Sequence, residues 1–270
     1  MTALNHSHMI TDWRAQVALG QYPAMVPFDT FGSNPAVSTT KTDLWGPGGL
    51  HTDLTTGTTL WINSEDVADT GMTYHVTGLN GSWNLQEVEV TLQGRTPVQI
   101  GEANNWTSVF DLHQVSASPA AGGDVYVATG DATYTLGVPN DVADIQGYVD
   151  NTTPIGHSLQ SWGVVPAGYK ALIFGMTGEM QTPTGTERTA KIRLEVATLA
   201  EGATVANPSW TPYYHKHSLS LLSNGSPHET VTFDFPLALP ELTRVSLRCT
   251  ATTSSEIVGR ISALILPQDQ

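Results

Sequence analysis

The chain consists of short segments in which apolar and polar residues alternate, with turn residues recurring about every eight to twelve positions. The clearest unit is an alternating segment over residues 72–78, a connection that contains Asn80 and Gly81, and a second alternating segment over residues 85–93. Alternation with a period of two places one face of a strand in a core and the other in water. Asn-Gly adopts the positive φ angles that tight β connections require. The unit therefore predicts an antiparallel hairpin, and its repetition predicts an all-β fold.

The same pattern divides most of the chain into two antiparallel β domains. We expect the first domain at residues 51–141 and the second at residues 142–270, where about eight strands suggest a jelly-roll-like sandwich. The strands expected in the first domain are at residues 58–63, 71–77, 85–93, 106–115 and 124–128. Those expected in the second are at residues 145–149, 158–165, 169–177, 189–198, 213–222, 230–235, 244–251 and 257–266.

Residues 1–50 differ from the rest and predict an extended N-terminal arm with one short helix. Asp12 is a suitable N-cap for a helix over residues 13–19, which Gly20 would end. The stretch that follows is too apolar for a solvated tail, so it either lies against its own domain or reaches a neighbouring subunit. We interpret it as a docking arm and expect the β domains to fold without it. The candidate partner-binding residues are Trp13, Tyr22, Met25, Val26, Phe28, Phe31 and Trp45.

Charge in this chain is sparse and acidic. Charged residues make up 13% of the sequence, against about 25% in a typical soluble protein. The net charge is −14, with only 11 Lys and Arg residues. Nucleic acids and anionic membranes both attract basic side chains, so neither is an expected partner. A surface with few charges repels identical copies weakly and favours a homo-oligomer, although a threonine-rich monomer would have the same composition.

The first ten residues lack the basic and apolar regions of a secretory signal, and no apolar run approaches the roughly 18 residues of a membrane-spanning helix. We therefore expect synthesis and folding in a cytoplasm. Cys249 is the only cysteine, so no disulfide can form within one chain. It lies in an alternating segment and is expected to be a small core residue.

Two groups of residues have the chemistry of metal ligands. His215 and His217 would share a strand face about 7 Å apart, with a third ligand from elsewhere, but a pair of surface histidines is the simpler interpretation. His6 and His8 have the same spacing. Five aspartates could bind calcium, although they lack EF-hand spacing and are more simply turn residues. They are Asp124, Asp131, Asp141, Asp144 and Asp150. No metal and no other cofactor is expected.

Other candidate sites are weaker. Trp210, Tyr213 and Tyr214 could form an aromatic platform for a sugar, or they could pack the rim of the core, as aromatic residues at the start of a strand usually do. The sequence contains no nucleophile elbow, zincin helix, phosphate loop or dinucleotide fingerprint. It therefore predicts a protein without enzymatic activity.

Several motifs, taken in their order along the chain, resemble those of structural proteins in the virions of tailed bacteriophages, many of them from aquatic environments. The longest is Thr77-Gly-Leu-Asn-Gly-Ser-Trp-Asn84, followed by residues 87–94 and by Thr96-Pro97-Val98. The resemblance extends over nearly the full length. The remaining motifs are at residues 31–35, 43–45, 123–127, 165–168 and 240–266.

This resemblance implies a non-enzymatic subunit of a tailed-phage virion, made in the cytoplasm of the host bacterium. Such a subunit would work as repeated copies in the neck or tail apparatus or at the base of a fibre. Its partners would be other copies of itself and other virion proteins of the portal, tail or capsid. A capsid decoration protein and a tail adhesin that binds host glycans are the alternatives. The resemblance brings no catalytic or cofactor-binding residues.

Overall fold

The protein is all-β, as the alternation of apolar and polar residues predicts. The computed structural model describes residues 26–28, 30–115, 121–151, 156–181, 187–223 and 227–268. Within these ranges the chain forms nineteen β-strands and one 3₁₀ turn at Val142–Asp144. No helical segment of the described residues has the length and apolar character that a membrane crossing would need.

The strands are numbered in chain order, and each strand expected from the sequence overlaps an observed one. The N-terminal strands are β1 (Val26–Pro27), β2 (Thr30–Val37) and β3 (Thr42–Asp43). The next nine are β4 (Leu60–Ser64), β5 (Thr70–Leu79), β6 (Leu85–Gln93), β7 (Val98–Gln99), β8 (Ser108–Gln114), β9 (Val125–Thr129), β10 (Tyr134–Thr135), β11 (Val138–Pro139) and β12 (Ile145–Val149). The last seven are β13 (Trp162–Val164), β14 (Tyr169–Gln181), β15 (Arg188–Ala197), β16 (Tyr214–Ser223), β17 (His228–Leu239), β18 (Arg244–Ala251) and β19 (Ser255–Pro267).

Eight of these strands form a jelly roll. One sheet has the order β2-β19-β14-β17 and the facing sheet has the order β3-β18-β15-β16, with antiparallel neighbours throughout. Counted from one to eight along the chain, the two orders are 1-8-3-6 and 2-7-4-5, which is the double Greek key of a jelly roll. β1 and β13 pair with β19 and β18 as short additional strands.

The strands β4 to β12 form a second sandwich, which is inserted between the second and third strands of the jelly roll. Its two sheets have the orders β12-β9-β4-β7 and β6-β5-β8, and β10 pairs with β11 in a separate hairpin. Trp45, just before the insertion, forms an antiparallel bridge with Gln160, just after it. The inserted domain thus leaves and re-enters the jelly roll at adjacent points, which is why the host fold accommodates it.

This topology corrects the domain boundaries expected from the sequence. Residues 30–43 are not a separate arm, because β2 pairs with β19 and β3 pairs with β18. β12 belongs to the inserted domain, because it pairs with β9. The end of the first domain therefore lies beyond residue 149 instead of at residue 141, and the jelly roll is assembled from both sides of the insertion. The expected helix over residues 13–19 lies outside the described residues.

The core of the jelly roll follows the alternation of its strands. Val245, Leu247 and Cys249 of β18 lie in this core, and burial of each large aliphatic side chain contributes roughly 1.5–3 kcal/mol. Gly178 of β14 faces Ile192 of the opposite sheet, where an added Cβ would lie 2.4 Å from the Cδ1 atom. A larger residue at this position would require the Ile192 side chain to move.

Two buried aromatic clusters join the jelly roll to the inserted domain. Trp45 and Trp162, with ring centroids 4.9 Å apart, pack in one cluster with Tyr148 of the inserted domain. Trp83 of the inserted domain packs in the other cluster with Leu242 of the jelly roll. The two sandwiches therefore share buried apolar surface, and the side chains at their boundary are held in fixed relative positions.

Candidate interaction surfaces and a histidine–carboxylate cluster

A groove of about 390 Å³ lies where the β2 edge of the jelly roll meets the β6-β5-β8 sheet of the inserted domain. We call it the junction groove. Phe28 and Phe110 meet there edge to face, with ring centroids 5.5 Å apart, and Phe31 is 46% exposed. The groove thus combines aromatic and aliphatic side chains with ionisable groups. Its other lining side chains include Leu85, Leu159, Ile265, Glu87, Asp111 and His157.

A β-bulge in β8 turns side chains towards the junction groove. Phe110 lies between two successive ladder positions and has no partner on β5. Val109 and Leu112 remain in the core of the inserted domain, whereas Phe110 and Asp111 line the groove. Bulges next to functional sites commonly redirect side chains in this way. Here the bulge supplies both the aromatic contact to the jelly roll and a carboxylate beside it.

Asp111, His113 and His157 form a histidine–carboxylate cluster beside this groove. Asp111 Oδ2 lies 2.7 Å from His113 Nδ1, and Asp111 Oδ1 lies 3.2 Å from His157 Nδ1. The two imidazole rings are stacked, with centroids 5.5 Å apart and planes 12° from parallel. One ligand atom from each residue lies within 4.8 Å of the other two. A single carboxylate is therefore flanked by two imidazole nitrogens.

Backbone pairing brings these three side chains together. Asp111 and His113 are two residues apart on β8 and share a strand face, and His157 forms an antiparallel bridge with His113. The bridge is supported by a 2.7 Å hydrogen bond from the backbone N–H of Ser158 to the carbonyl of Leu112. The buried Ser158 hydroxyl also donates to Asp111 Oδ1 over 3.2 Å. The carboxylate is thus oriented by a side chain that precedes the jelly-roll strand β13.

A third imidazole lies next to the cluster. His75 is opposite His113 in the pairing of β5 with β8, and their ring centroids are 5.0 Å apart. The Nε2 atom of His75 is 3.5 Å from a carboxylate oxygen of Glu87 on β6. A row of imidazole and carboxylate groups therefore crosses the outer face of the sheet β6-β5-β8, from Glu87 on β6 to His157, which bridges to β8.

The jelly-roll sheet β2-β19-β14-β17 exposes an aromatic side chain at its β17 edge, which is opposite the edge that borders the junction groove. β17 is the last strand of its sheet, and residues 233–236 bulge out of its ladder with β14, because Ile173 is opposite Leu237 while Gly175 is opposite Thr232. Phe235 lies in this bulge and is 88% exposed. We treat this side chain as a candidate contact point, because a partner that covered it would remove a large apolar surface from water.

The outer face of the other jelly-roll sheet carries a buried ion network. Arg248 of β18 contacts Asp43 of β3 at 3.0 Å and Glu195 of β15 at 3.3 Å, and Lys41 also contacts Glu195, at 3.1 Å. Burial disfavours the charge of Arg248, but Asp43, Tyr213 and Glu195 together outweigh this effect and raise the pKa of Arg248. The network connects three strands of the sheet, including one from the N-terminal segment.

A second ion pair ties the start of the insertion to the jelly roll. Asp53 accepts a 2.9 Å hydrogen bond from the Tyr213 hydroxyl and lies 3.5 Å from the Arg244 guanidinium and 3.7 Å from His51 Nδ1. Burial acts to raise the pKa of Asp53, but the hydrogen bond to His51 and the charge of Arg244 outweigh it, so this pKa lies below its usual range. Burial lowers the pKa of Arg244.

The residues considered for a sugar platform pack against guanidinium groups instead. The guanidinium carbon of Arg244 is 3.6 Å from the ring centroid of Trp210, and that of Arg248 is 3.8 Å from the ring centroid of Tyr213. One face of each ring is therefore covered. Tyr214 is 40% exposed and lies beside Lys216. Of the three, Trp210 packs against the buried cluster of Trp83 and Leu242, which is the alternative that the sequence left open.

The candidate partner-binding residues separate into three groups. Trp13, Tyr22 and Met25 lie outside the described residues. Val26, Phe28 and Trp45 belong to the protein's own fold, since the backbone of Val26 pairs with Ile265 and the other two side chains are buried. The expectation that Phe28 and Trp45 contact a partner is therefore wrong, because they fill cores of the same chain. Phe31 remains half exposed at the junction groove.

The metal ligands proposed from the sequence do not converge. The ladder of β16 shifts register between His215 and His217, and His217 packs against Phe233, with ring centroids 5.2 Å apart. No third ligand residue joins this pair within the described ranges. Cys249 is buried in the jelly-roll core, as expected, and burial raises the pKa of its thiol.

Three of the five aspartates have separate structural roles. Asp124 accepts a 2.6 Å hydrogen bond from the Tyr148 hydroxyl, and Asp141 caps the 3₁₀ turn by accepting from Ala143 N. Asp144 accepts from the Thr129 hydroxyl at 3.4 Å. Burial and the neighbouring carboxylates of Asp131 and Asp141 raise its pKa. Among the described residues, these carboxylates form no group with the spacing of metal ligands.

The sequence analysis missed the histidine–carboxylate cluster. One signal was present, because Asp111 and His113 have the period of two that places both on one strand face. His157 lies 44 residues after His113 in the sequence, so no local spacing links the two histidines. Only the bridge between these two residues brings the second imidazole to the site.

Comparison with known proteins gives little guidance. No protein-family model matches the chain, and no curated protein matches it. A structure of the infectious bursal disease virus Gt strain is similar over 90% of this chain and 72% of that chain, with 8% identity and a TM-score of 0.25. The N-terminal CBM22-1-CBM22-2 tandem domain of Paenibacillus barcinonensis Xyn10C is similar over 92% of this chain and 94% of that chain, with 11% identity and a TM-score of 0.22. Scores of this size carry no argument about fold or function.

Proposed function

We propose that this protein is a non-enzymatic structural subunit of a tailed-bacteriophage virion. In this proposal it is present in repeated copies in the neck or tail apparatus or at the base of a fibre, and its partners are other copies of itself and virion proteins of the portal, tail or capsid. The ordered motifs of the sequence support the class of protein. The observation that carries the proposal of repeated copies is Phe235, which is 88% exposed at one edge of a sheet whose other edge borders an aromatic groove.

In this proposal the two surfaces of neighbouring copies meet head to tail. β17, which carries Phe235, and β2, which borders the junction groove, are opposite edges of the sheet β2-β19-β14-β17. They are three strand spacings apart, or about 14 Å. We therefore assign the groove to Phe235 of a second copy. A contact between two different surfaces of the same chain generates rings when its rotation closes, and a ring around the tail axis is the symmetry that a neck or tail subunit requires.

The Phe235 contact alone is too small to hold an assembly together. Burial of one aromatic side chain contributes roughly 1.5–3 kcal/mol, whereas stable interfaces bury at least about 1,200 Å² in total. Further contacts must surround it, and they must also outweigh the repulsion between copies that each carry a net charge of −14. The sequence predicts that Trp13, Tyr22 and Met25 also bind a partner, and we include them in this proposed interface.

Mixing two complementary variants tests the head-to-tail contact. We expect the wild type to self-associate with rising concentration in analytical ultracentrifugation. Phe235→Asp removes one surface and Phe31→Asp removes the other, so each variant should be a monomer. A mixture of the two should form dimers and nothing larger, because each dimer contains one intact Phe235 and one intact groove. The matched control is Leu136→Asp, which changes a side chain that is 69% exposed on the β10–β11 hairpin and should associate like the wild type.

Three outcomes would contradict this arrangement. In the first, the wild type stays monomeric at every concentration. In the second, Phe235→Asp and Phe31→Asp associate as the wild type does. In the third, the mixture of these two variants contains only monomers. Association that survives Phe235→Asp but is lost on removal of residues 1–25 would assign the groove to the N-terminal segment instead.

Labelling the protein in intact particles tests its location. A ring of label on the tail axis would support the neck or tail assignment, whereas label at three-fold or quasi-six-fold positions of the head would favour a decoration protein. Absence of the chain from purified particles would overturn the proposal. Binding to a glycan array would favour the adhesin, although one face of each of the Trp210 and Tyr213 rings is covered by a guanidinium group.

A further inference from the structure

We infer that the histidine–carboxylate cluster is a binding site for a divalent transition metal such as Zn²⁺, with Asp111, His113 and His157 as its protein ligands. The inference rests on the convergence of the three side chains and does not depend on the proposed virion role. Two imidazoles and one carboxylate are a donor set that suits zinc and related borderline ions and does not suit calcium or magnesium.

The distances fit such an ion. Zinc binds imidazole nitrogen and carboxylate oxygen at about 2.0–2.2 Å, so neighbouring ligand atoms of a tetrahedral site are about 3.3 Å apart. Asp111 Oδ2 is 2.7 Å from His113 Nδ1 and Asp111 Oδ1 is 3.2 Å from His157 Nδ1, and one ligand atom of each residue lies within 4.8 Å of the other two. Binding therefore requires the Asp111 and His113 side chains to separate by about 0.6 Å from their present distance of 2.7 Å.

The surroundings of the ligands support a cation. The buried hydroxyl of Ser158 donates to Asp111 Oδ1 and holds the carboxylate in place, which is the role that an outer-shell partner has in metal sites. His75 and Glu87 lie next to His113 and add a second carboxylate to the neighbourhood. With two neutral imidazoles and one carboxylate, the occupied site has a charge of +1 in a chain whose net charge is −14.

The site is open to solvent on one side. The side chains of Asp111, His113 and His157 are 28%, 38% and 50% exposed, so a fourth position is available to water. The ion would connect β8 of the inserted domain to the segment that enters β13 of the jelly roll. We therefore expect the metal to strengthen the junction between the two domains and to slow their separation.

Zinc titration of the full chain tests the site. Because His6 and His8 could also bind zinc, the titration uses protein that carries His6→Gln and His8→Gln and has been freed of metal with a chelator. Isothermal titration calorimetry should show one zinc ion per chain. Addition of Co²⁺ should produce the visible absorption of a cobalt ion with nitrogen and oxygen ligands, and zinc should displace it. Thermal unfolding should shift upwards when zinc is present, by mass action on the folded state.

Four single variants in this background locate the site. His113→Gln and His157→Gln should abolish the saturable zinc binding and the cobalt spectrum, and Asp111→Asn provides a third test if either histidine variant fails to fold. Ser158→Ala should weaken zinc binding by roughly 10- to 100-fold, as loss of an outer-shell partner does. The matched control is His215→Gln, which removes an exposed histidine on β16 and should bind zinc like the parent protein.

The proposal is overturned if the parent protein shows no saturable binding of zinc or cobalt. It is also overturned if the variants at Asp111, His113 and His157 bind as tightly as the parent, since the ion would then lie elsewhere. Loss of binding in His215→Gln alone would assign the ion to the histidine pair of β16.

Discussion

The guanidinium of Arg248 lies over the ring of Tyr213, with 3.8 Å between the guanidinium carbon and the ring centroid. The same guanidinium contacts Asp43 and Glu195, so one cation is held by an aromatic face and two carboxylates. Burial of the Tyr213 hydroxyl and the nearby charge of Asp53 raise the pKa of Tyr213 well above its usual value. Phenol, guanidinium and carboxylates thus form one connected network on the outer face of the sheet β3-β18-β15-β16.

Replacing Arg248 should destabilise the jelly roll strongly. We expect Arg248→Met to lower the free energy of unfolding by about 3–5 kcal/mol, because the carboxylate of Asp43 would remain buried without its cation and Glu195 would keep only Lys41. Chemical denaturation measures this loss. Lys191→Met is the control, since Lys191 is exposed on the adjacent strand β15, and it should change the stability by less than about 0.5 kcal/mol. Equal effects of the two substitutions would contradict a stabilising role for the network.

Asp53 should make the stability dependent on pH in the acid range. Its pKa in the folded protein is below the value of about 3.9 in an unfolded chain, so its contribution is complete above that value and is lost as the pH falls through the folded pKa. Denaturation midpoints measured at neutral pH and at successively lower pH should therefore converge for the wild type and Asp53→Asn. Glu102→Gln, at an exposed position, should show a constant difference from the wild type. A constant difference for Asp53→Asn would contradict this linkage.

Two buried tyrosines should respond to the same substitution in opposite ways. The Tyr74 hydroxyl is buried and has no hydrogen-bond partner among the described residues, and burial raises the pKa of Tyr74 to about 12. The Tyr148 hydroxyl donates to Asp124 over 2.6 Å. We expect Tyr74→Phe to stabilise the protein by about 1 kcal/mol and Tyr148→Phe to destabilise it by about 1–3 kcal/mol. Thermal unfolding distinguishes them, and destabilisation by both would show that Tyr74 has a polar partner.

Two N-terminal deletions should have different effects. Removal of residues 1–50 deletes β2 and β3 together with the buried side chains of Leu44 and Trp45, so the jelly roll loses two of its eight strands and should not unfold cooperatively. Removal of residues 1–25 leaves every described strand in place and should preserve the transition. Calorimetry of both truncated proteins measures the difference. A cooperative transition near the wild-type midpoint after removal of residues 1–50 would mean that these strands are dispensable.

The sequence by itself determined where most strands lie. β6 and β18 have the bounds that their alternation predicts, because successive side chains of a strand point to opposite faces and the period of two is therefore recorded locally in the residues. The burial of Cys249 followed from the same alternation.

The tertiary structure alone decided which strands pair. β2 contains Gly32, Asn34 and Pro35 and lacks a clear alternation, yet it becomes a strand because β19 supplies its hydrogen-bond partners. Its assignment to an arm was wrong because a strand defined by its neighbour leaves little trace in its own residues. The histidine–carboxylate cluster has the same origin. The spacing of Asp111 and His113 is local, but His157 joins them only through pairing with a distant segment, and contacts of this kind are fixed by the packing of the whole chain.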